Sequence, residues 1–278
     1  MFSSFQPFSK VAEPFSIGLK PVEPKTWIFR DSDFLTYQKQ KMDLYETNFD
    51  HVFMAREDTL DAQLEAEQLI SDAGGKTEIC SNLNLPPLAR AALDMQDDLV
   101  LMRKTGETWN LVAGSVCFPA HWTLSEKFDR PMETIHGPVP MPPQMHQRIK
   151  RIFDSIKPSI PVWRENWSLD NDDELRKEKS ETATKHNTIS EFNHFYLRTE
   201  YQTLHKLPVS GDILFTIGTY IKHLADISKL PEHRSFLSNF RGQILALTDE
   251  EAEYKGLKHT RPALINWIET QLECDDIK

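Results

Sequence analysis

Residues 195–220 read FYLRTEYQTLHKLPVSGDILFTIGTY, and this stretch decides the fold. Its two halves, 195–204 and 213–220, are rich in aromatic and β-branched residues, as strands are. Between them lies Leu207-Pro208-Val209-Ser210-Gly211-Asp212, whose Pro and Ser-Gly are turn chemistry. The reading is an antiparallel hairpin. Strand alternation then puts Arg198, Glu200 and Gln202 on one face and Thr199, Tyr201 and Thr203 on the other. The charged row faces either solvent or a cavity that needs a cation, a carboxylate and an amide. The flanking Phe195, Tyr196, Leu204 and Leu207 are too apolar for a fully wet hairpin, and a buried Arg–Glu pair needs a purpose because unpaired buried charge is costly.

Upstream, residues 99–102 (LVLM) and 109–112 (WNLV) flank Lys104-Thr105-Gly106-Glu107, a second hairpin signal. Helical patterns surround the two hairpins. Asp31-Ser32-Asp33 can cap a helix running to about Glu46, with Phe34, Tyr37, Met42 and Tyr45 as its buried side. Leu60, Leu64, Leu69 and Ile70 mark another, stopped by Gly74-Gly75, and Pro86-Pro87 opens a third. A further helix is expected over Gln144–Ser155. Thr248 with Glu251 forms a capping box, and Leu264, Ile265, Trp267 and Ile268 line a last amphipathic helix. Hairpins inside a helical wrapper predict an α+β fold with an antiparallel sheet, wrapped by N- and C-terminal helices. The whole chain, 1–278, reads as a single domain with helical elaborations. Residues 1–25 form an extended, Pro- and Phe-containing arm, and 170–190 form a mobile, solvated loop nearly without large apolar groups.

Composition narrows the function. Thirty-two basic against 42 acidic residues give a net charge of −10, which argues against non-specific nucleic-acid binding. No window holds eighteen uncharged apolar residues, so no membrane-spanning helix is expected. The start, MFSSFQPFSK, lacks the basic and apolar regions of a secretory signal, and three dispersed cysteines (Cys80, Cys117, Cys274) suit a reducing, cytoplasmic setting.

Several chemistries lack their signatures. The sequence has no GxGxxG, no GxxxxGK[ST], no G-x-S-x-G and no H-E-x-x-H. Cys117 and His121 are four apart, but Pro119 between them disfavours a helical metal pair, and Cys117 reads as a buried cysteine at a strand end. The densest unusual stretch is CFPAHWTLSEKFDRPMETIHGPVP, residues 117–140. Within it His136 stands between Ile135 and Gly137-Pro138-Val139-Pro140. This places an imidazole among apolar residues on a stiff backbone, which suits one axial ligand of a large flat cofactor, and equally a hydrogen-bonded core histidine.

The ordered set of short motifs bears on that choice. Gly18-Leu19-Lys20-Pro21 with Trp27, VCFPAHW (116–122), Glu126-Lys127, IHGPVP (135–140), RENWS (164–168), LRTEYQTL (197–204) and LFTIGTY (214–220) occur in order. Together they resemble the haem-binding α subunit of the haem-dependent oxidative N-demethylase (dimethylamine monooxygenase) family over residues 16–270. The resemblance implies a PAS-like antiparallel sheet holding haem b, and an enzyme that uses O2 to demethylate a small secondary amine such as dimethylamine. It also implies NADPH-derived electrons from a separate flavin and iron–sulfur reductase component. Consistently, the chain has neither a dinucleotide loop nor clustered cysteines for an iron–sulfur site.

Under this resemblance His136 is the expected haem-iron ligand, and Arg198 and Glu200 the expected catalytic pair or propionate partners. Phe118 and Trp122 would pack the macrocycle, Lys127 and Arg130 would meet propionates, and Gln202, Thr203, Thr216 and Thr219 are secondary polar candidates. The chain also departs from the family pattern: arginine is expected where it has Tyr201 and Gly218, and often glycine where it has Asp129. Two missing guanidinium groups would strip the sheet of donors that polarise bound oxygen. A haem PAS-type gas or redox sensor without turnover is therefore the alternative, and a haem-free interaction domain a third class.

Overall fold

A computed structural model describes residues 18–22, 27–75, 83–137, 139–140, 143–178, 192–227 and 229–273. Both expected hairpins form. The first joins β3 (Asp98–Thr105) to β4 (Thr108–Ser115), and the second joins β6 (Tyr196–Lys206) to β7 (Ile213–His223). They merge edge to edge through β3 and β7. Three further strands, β1 (Lys20–Pro21), β2 (Phe53–Ala55) and β5 (Val162–Asp170), complete a seven-stranded sheet in the order β1-β5-β6-β7-β3-β4-β2, with every pair antiparallel. The architecture is α+β.

The turns show why these residues form hairpins. Gly106 and Gly211 hold left-handed φ values of 61° and 73°, which glycine adopts without steric cost. The β6–β7 loop is fastened from outside: Glu65 accepts from the Val209 and Ser210 amides at 2.7 and 2.9 Å, and Arg103 forks onto Asp212 at 2.7–3.1 Å. Asp129 also sits at φ 57°. A position of this kind favours glycine, which accounts for the glycine expected there, and Asp129 is held by Arg56 at 3.5 Å.

Register confirms the predicted alternation. Glu200 lies opposite Asn166 and Thr219, Gln202 opposite Arg164, and Leu204 opposite Val162, all on one face. That face, with Val100, Met102, Leu111 and Ile213, packs against α5 (Leu124–Lys127), α6 (Met132–Ile135) and α7 (Pro143–Ser155). The opposite face packs Leu99, Leu101 and Leu214 against Trp27, α3 (Leu60–Asp72) and α4 (Pro87–Leu93). Trp167 and Leu197 anchor α9 (His233–Ala246) and α11 (Arg261–Glu273) at one end of the sheet. Thr248 and Glu251 exchange the predicted capping bonds at the start of α10 (Asp249–Tyr254).

Two expectations change. The helix α1 (Phe34–Thr47) buries Gln38 and Lys41 beside Tyr37 and Tyr45, rather than Phe34 and Met42. Residues 171–178 are also more fastened than a solvated loop: Lys177 bridges to Ala120 and pairs with Asp170 at 3.2 Å and Asp172 at 3.0 Å. The rest of that loop, Cys80, Cys274 and most of the N-terminal arm lie outside the described residues.

A hydrogen-bonded row crosses the α3–α4 face. His205 Nε2 lies 3.0 Å from Thr203 Oγ1, which lies 2.8 Å from Thr216 Oγ1, and Thr216 in turn reaches Asp97. Burial beside Trp27 holds the His205 imidazole neutral, with its pKa lowered from 6.5 to about 3. As pH falls from 6.5 to 3, the unfolded chain binds a proton that the native protein refuses. His205 therefore removes stability at about 1.4 kcal/mol per pH unit in that window. Asp97, pushed up to about 7 by burial, acts with the opposite sign between 3.8 and 7, so wild-type stability alone masks both. The expected signature is a difference: wild-type minus His205→Gln stability, from urea titrations, rises with pH up to 6.5 and is level above it. A level difference from pH 4 to 8 contradicts the assignment.

Candidate functional site

His136 is the residue just after α6, and its backbone amide continues the helical turn by donating to Met132 O at 3.0 Å. Its Nδ1 lies 2.9 Å from the same carbonyl oxygen. A carbonyl only accepts, so Nδ1 carries the proton and Nε2 presents its lone pair. Burial lowers the imidazole pKa to about 4, which keeps that lone pair free at neutral pH. A neutral histidine with one nitrogen held by a backbone carbonyl and the other open is how proteins present imidazole to a metal.

The surroundings combine apolar walls with cations. Ile135, Trp122, Phe128 and Leu124 belong to the apolar layer beneath α5–α7. Lys127 rests its ammonium over the Trp122 ring at 4.2 Å. Lys127 and Arg164 both act electrostatically on His136, and Glu200 acts on both of them and on Lys255. Arg164 and Glu200 share this face by register, and Lys127 joins it through Trp122, whereas Lys255 reaches it from the Trp167 end of the sheet. Burial lowers the pKa of Lys127, of Arg164 and of Lys255, the last to about 8. Glu200 is positioned by its neighbours: its Oε2 accepts from Gln202 at 2.8 Å and from Asn166 at 3.3 Å.

This layer also holds buried polar atoms that lack partners among the described residues: Arg164 Nε, His146 Nε2, Glu133 Oε2 and Thr219 Oγ1. Buried polar groups in folded proteins are nearly always paired, and orphans occur on both sides of the sheet, with Trp27 Nε1, Gln63 Oε1 and Asp97 Oδ2 unpartnered toward α3–α4; those of the His136 layer are compatible with a bound group that has polar edges. The residues present fit haem in kind: an open imidazole, apolar and aromatic walls, and free cationic donors.

Other predicted residues fall elsewhere. Arg198 is on the same face but is consumed in architecture: its guanidinium donates to Phe118 O (2.8 Å), Leu175 O (2.9 Å) and Glu174 O (3.2 Å), tying two loops to β6. Phe118 packs with Tyr37, Tyr45 and Cys117 rather than around His136. Thr203 and Thr216 point to the α3–α4 face. Cys117 is buried at the end of β4, with its thiol pKa raised by burial. Arg130 follows the α5 turn, where its carbonyl accepts from Leu111.

Tyr201 and Gly218 face each other on the α3–α4 side as well. A Cβ at Gly218 would come within 2.8 Å of Asp97 Oδ1, so the Asp97 carboxylate occupies the room an arginine stem would need. The expected loss of guanidinium donors therefore does not fall on the His136 face. In the sequence Arg164 is one residue of the RENWS motif. Its signal was the alternation in VWRENWSLD, where Trp163 and Trp167 flank Arg164 and Asn166.

A cavity of about 470 Å³ opens between α7 and the β1–β5 edge, lined by Leu19, Ile152, Ile156, Val162, Arg148 and Lys157 among others. It begins one same-face position from Arg164, but His136, Lys127 and Glu200 do not line it.

The pattern of the family described as haem-dependent oxidative N-demethylase, alpha subunit-like, matches residues 71–265, which include His136, Arg164, Glu200 and the strands β3 to β7. With more than half its length matched, the chain belongs to the haem-dependent oxidative N-demethylase alpha subunit-like family.

Proposed function

We propose that this chain is the haem b-bearing subunit of an oxidative demethylase for a small secondary amine such as dimethylamine, built on a PAS-like sheet. Its electrons come from a separate NADPH-dependent flavin and iron–sulfur component. The observation that carries this reading is the His136 imidazole, with Nδ1 committed to Met132 O and Nε2 bare beneath an apolar layer. Bound haem supplies the O2-dependent redox chemistry, and the protein supplies position, dryness and proton handling.

Each residue then has a task. His136 would hold the iron through Nε2, with its ring orientation fixed by the Met132 carbonyl. Trp122, Phe128 and Ile135 would keep water away from the bound group. Glu200, fixed by Gln202 and Asn166, accepts the proton of the incoming ammonium, leaving the neutral amine whose nitrogen lone pair is available for oxidation. Thr219, directly across from Glu200 with its hydroxyl unpartnered among the described residues, is placed to hydrogen-bond the substrate or an ordered water.

The test is formaldehyde release from dimethylamine by the haem-loaded protein with O2 and a competent electron donor. Glu200→Gln keeps the Asn166 and Gln202 contacts in reach but loses the base, and turnover is expected to drop about 10²- to 10⁴-fold with haem content unchanged. Haem binding without any formaldehyde from the wild-type protein would favour the sensor reading instead.

A further inference from the structure

We propose that Arg164 is the anchor for a carboxylate of the bound group, the role that position and charge had suggested for Arg198. The inference rests on the haem reading and names the propionate as the carboxylate.

The four cations around Glu200 differ in what they already hold. Arg198 spends its two terminal nitrogens on three carbonyl oxygens, although its Nε, like that of Arg164, has no partner among the described residues. Lys255 donates to Trp167 O at 2.6 Å and lies over the Trp167 ring at 4.2 Å. Lys127 lies over Trp122. Arg164 makes neither a hydrogen bond nor an ion pair among the described residues, and its Nε is buried. Glu200 acts on it only at longer range. A desolvated guanidinium with unused donors is costly unless an anion completes it, and its planar fork matches the two oxygens of a carboxylate. Register fixes where it points: Arg164 is directly opposite Gln202, on the face that carries Glu200 and His136's layer. Val162, one same-face position from Arg164, lines the adjoining cavity together with Ile152.

The experiment compares haem with its dimethyl ester, in which both propionates are masked. Each is loaded onto the full-length wild-type protein, Arg164→Gln and Arg164→Lys, and dissociation is followed by transfer to a haem-free globin. The expected result is that wild type loses the ester at least about tenfold faster than haem, Arg164→Gln loses both at the faster rate, and Arg164→Lys falls between. The Soret position stays that of wild type throughout, because His136 is untouched. Equal dissociation of haem and ester from wild type overturns the proposal even if the variants fold poorly. So does a wild-type ratio retained by Arg164→Gln. Failure of wild type to take up either form would overturn the haem reading itself, and this inference with it.

Discussion

Replacing His136 with glycine is expected to abolish stable haem retention while leaving the polypeptide folded. Among the described residues the imidazole's hydrogen bond is to Met132 O, a carbonyl of its own helical turn. Its removal should therefore cost little stability, about 1 kcal/mol for one hydrogen bond. The effect on the cofactor is expected to be far larger, since Nε2 of His136 is the nitrogen that would hold the iron. The expected observation is a near-complete loss of the Soret band after desalting, with the far-ultraviolet dichroism of wild type. Added imidazole should then restore the band by filling the space left behind. A variant that keeps a wild-type haem spectrum would remove His136 from the site.

The largest structural effect is expected at Lys41. This ammonium is fully buried and donates to Ala92 O, Met95 O and Asp97 O at 2.9, 3.2 and 2.5 Å. It stands 3.9 Å from Asp98, whose carboxylate accepts the Cys117 and Phe118 amides at 2.9 and 2.8 Å. Phe118 is thereby gripped from both sides, its amide by Asp98 and its carbonyl by Arg198. Burial pushes the Asp98 carboxyl up, and Lys41 is the largest opposing influence. Lys41→Met leaves three carbonyls and a carboxylate desolvated without their cation, so a loss of about 3–5 kcal/mol is expected in urea titrations. Adding Asp98→Asn should recover part of it, giving a double-variant loss smaller than the sum of the singles by about 0.5–3 kcal/mol. A Lys41→Met protein as stable as wild type would contradict this account of the buried pair.

The hairpins were legible because their signals are local. Pro208, Ser210-Gly211 and Gly106 punctuate apolar runs, and the period of two sorts residues 198–203 between faces without any tertiary knowledge. The strand β5 was not read, because Arg164, Glu165 and Asn166 make half its length polar, and its partners come from a distant hairpin. Lys41 could not be found for the same reason. A lysine in a helix reads as solvated until the sheet end that surrounds it is known.

The site divides in the same way. His136 stood out through its apolar, Pro-rich neighbours and Glu200 through strand parity. Arg198 and Arg164 are indistinguishable as sequence, and only their carbonyl partners in space show that the first is a clamp while the second has no such partner among the described residues. Tyr201 and Gly218 show the limit from the other direction. Their chemistry suggested a weakened oxygen pocket, whereas register turns both toward Asp97 on the far face.

The claim on which the rest depends is that this fold takes up haem at His136. Titrating the purified full-length protein with haemin, desalting it and recording the visible spectrum tests it most directly. The account predicts one retained haem per chain and a Soret band that shifts on reduction and again on adding carbon monoxide; a protein that leaves the column colourless would contradict it.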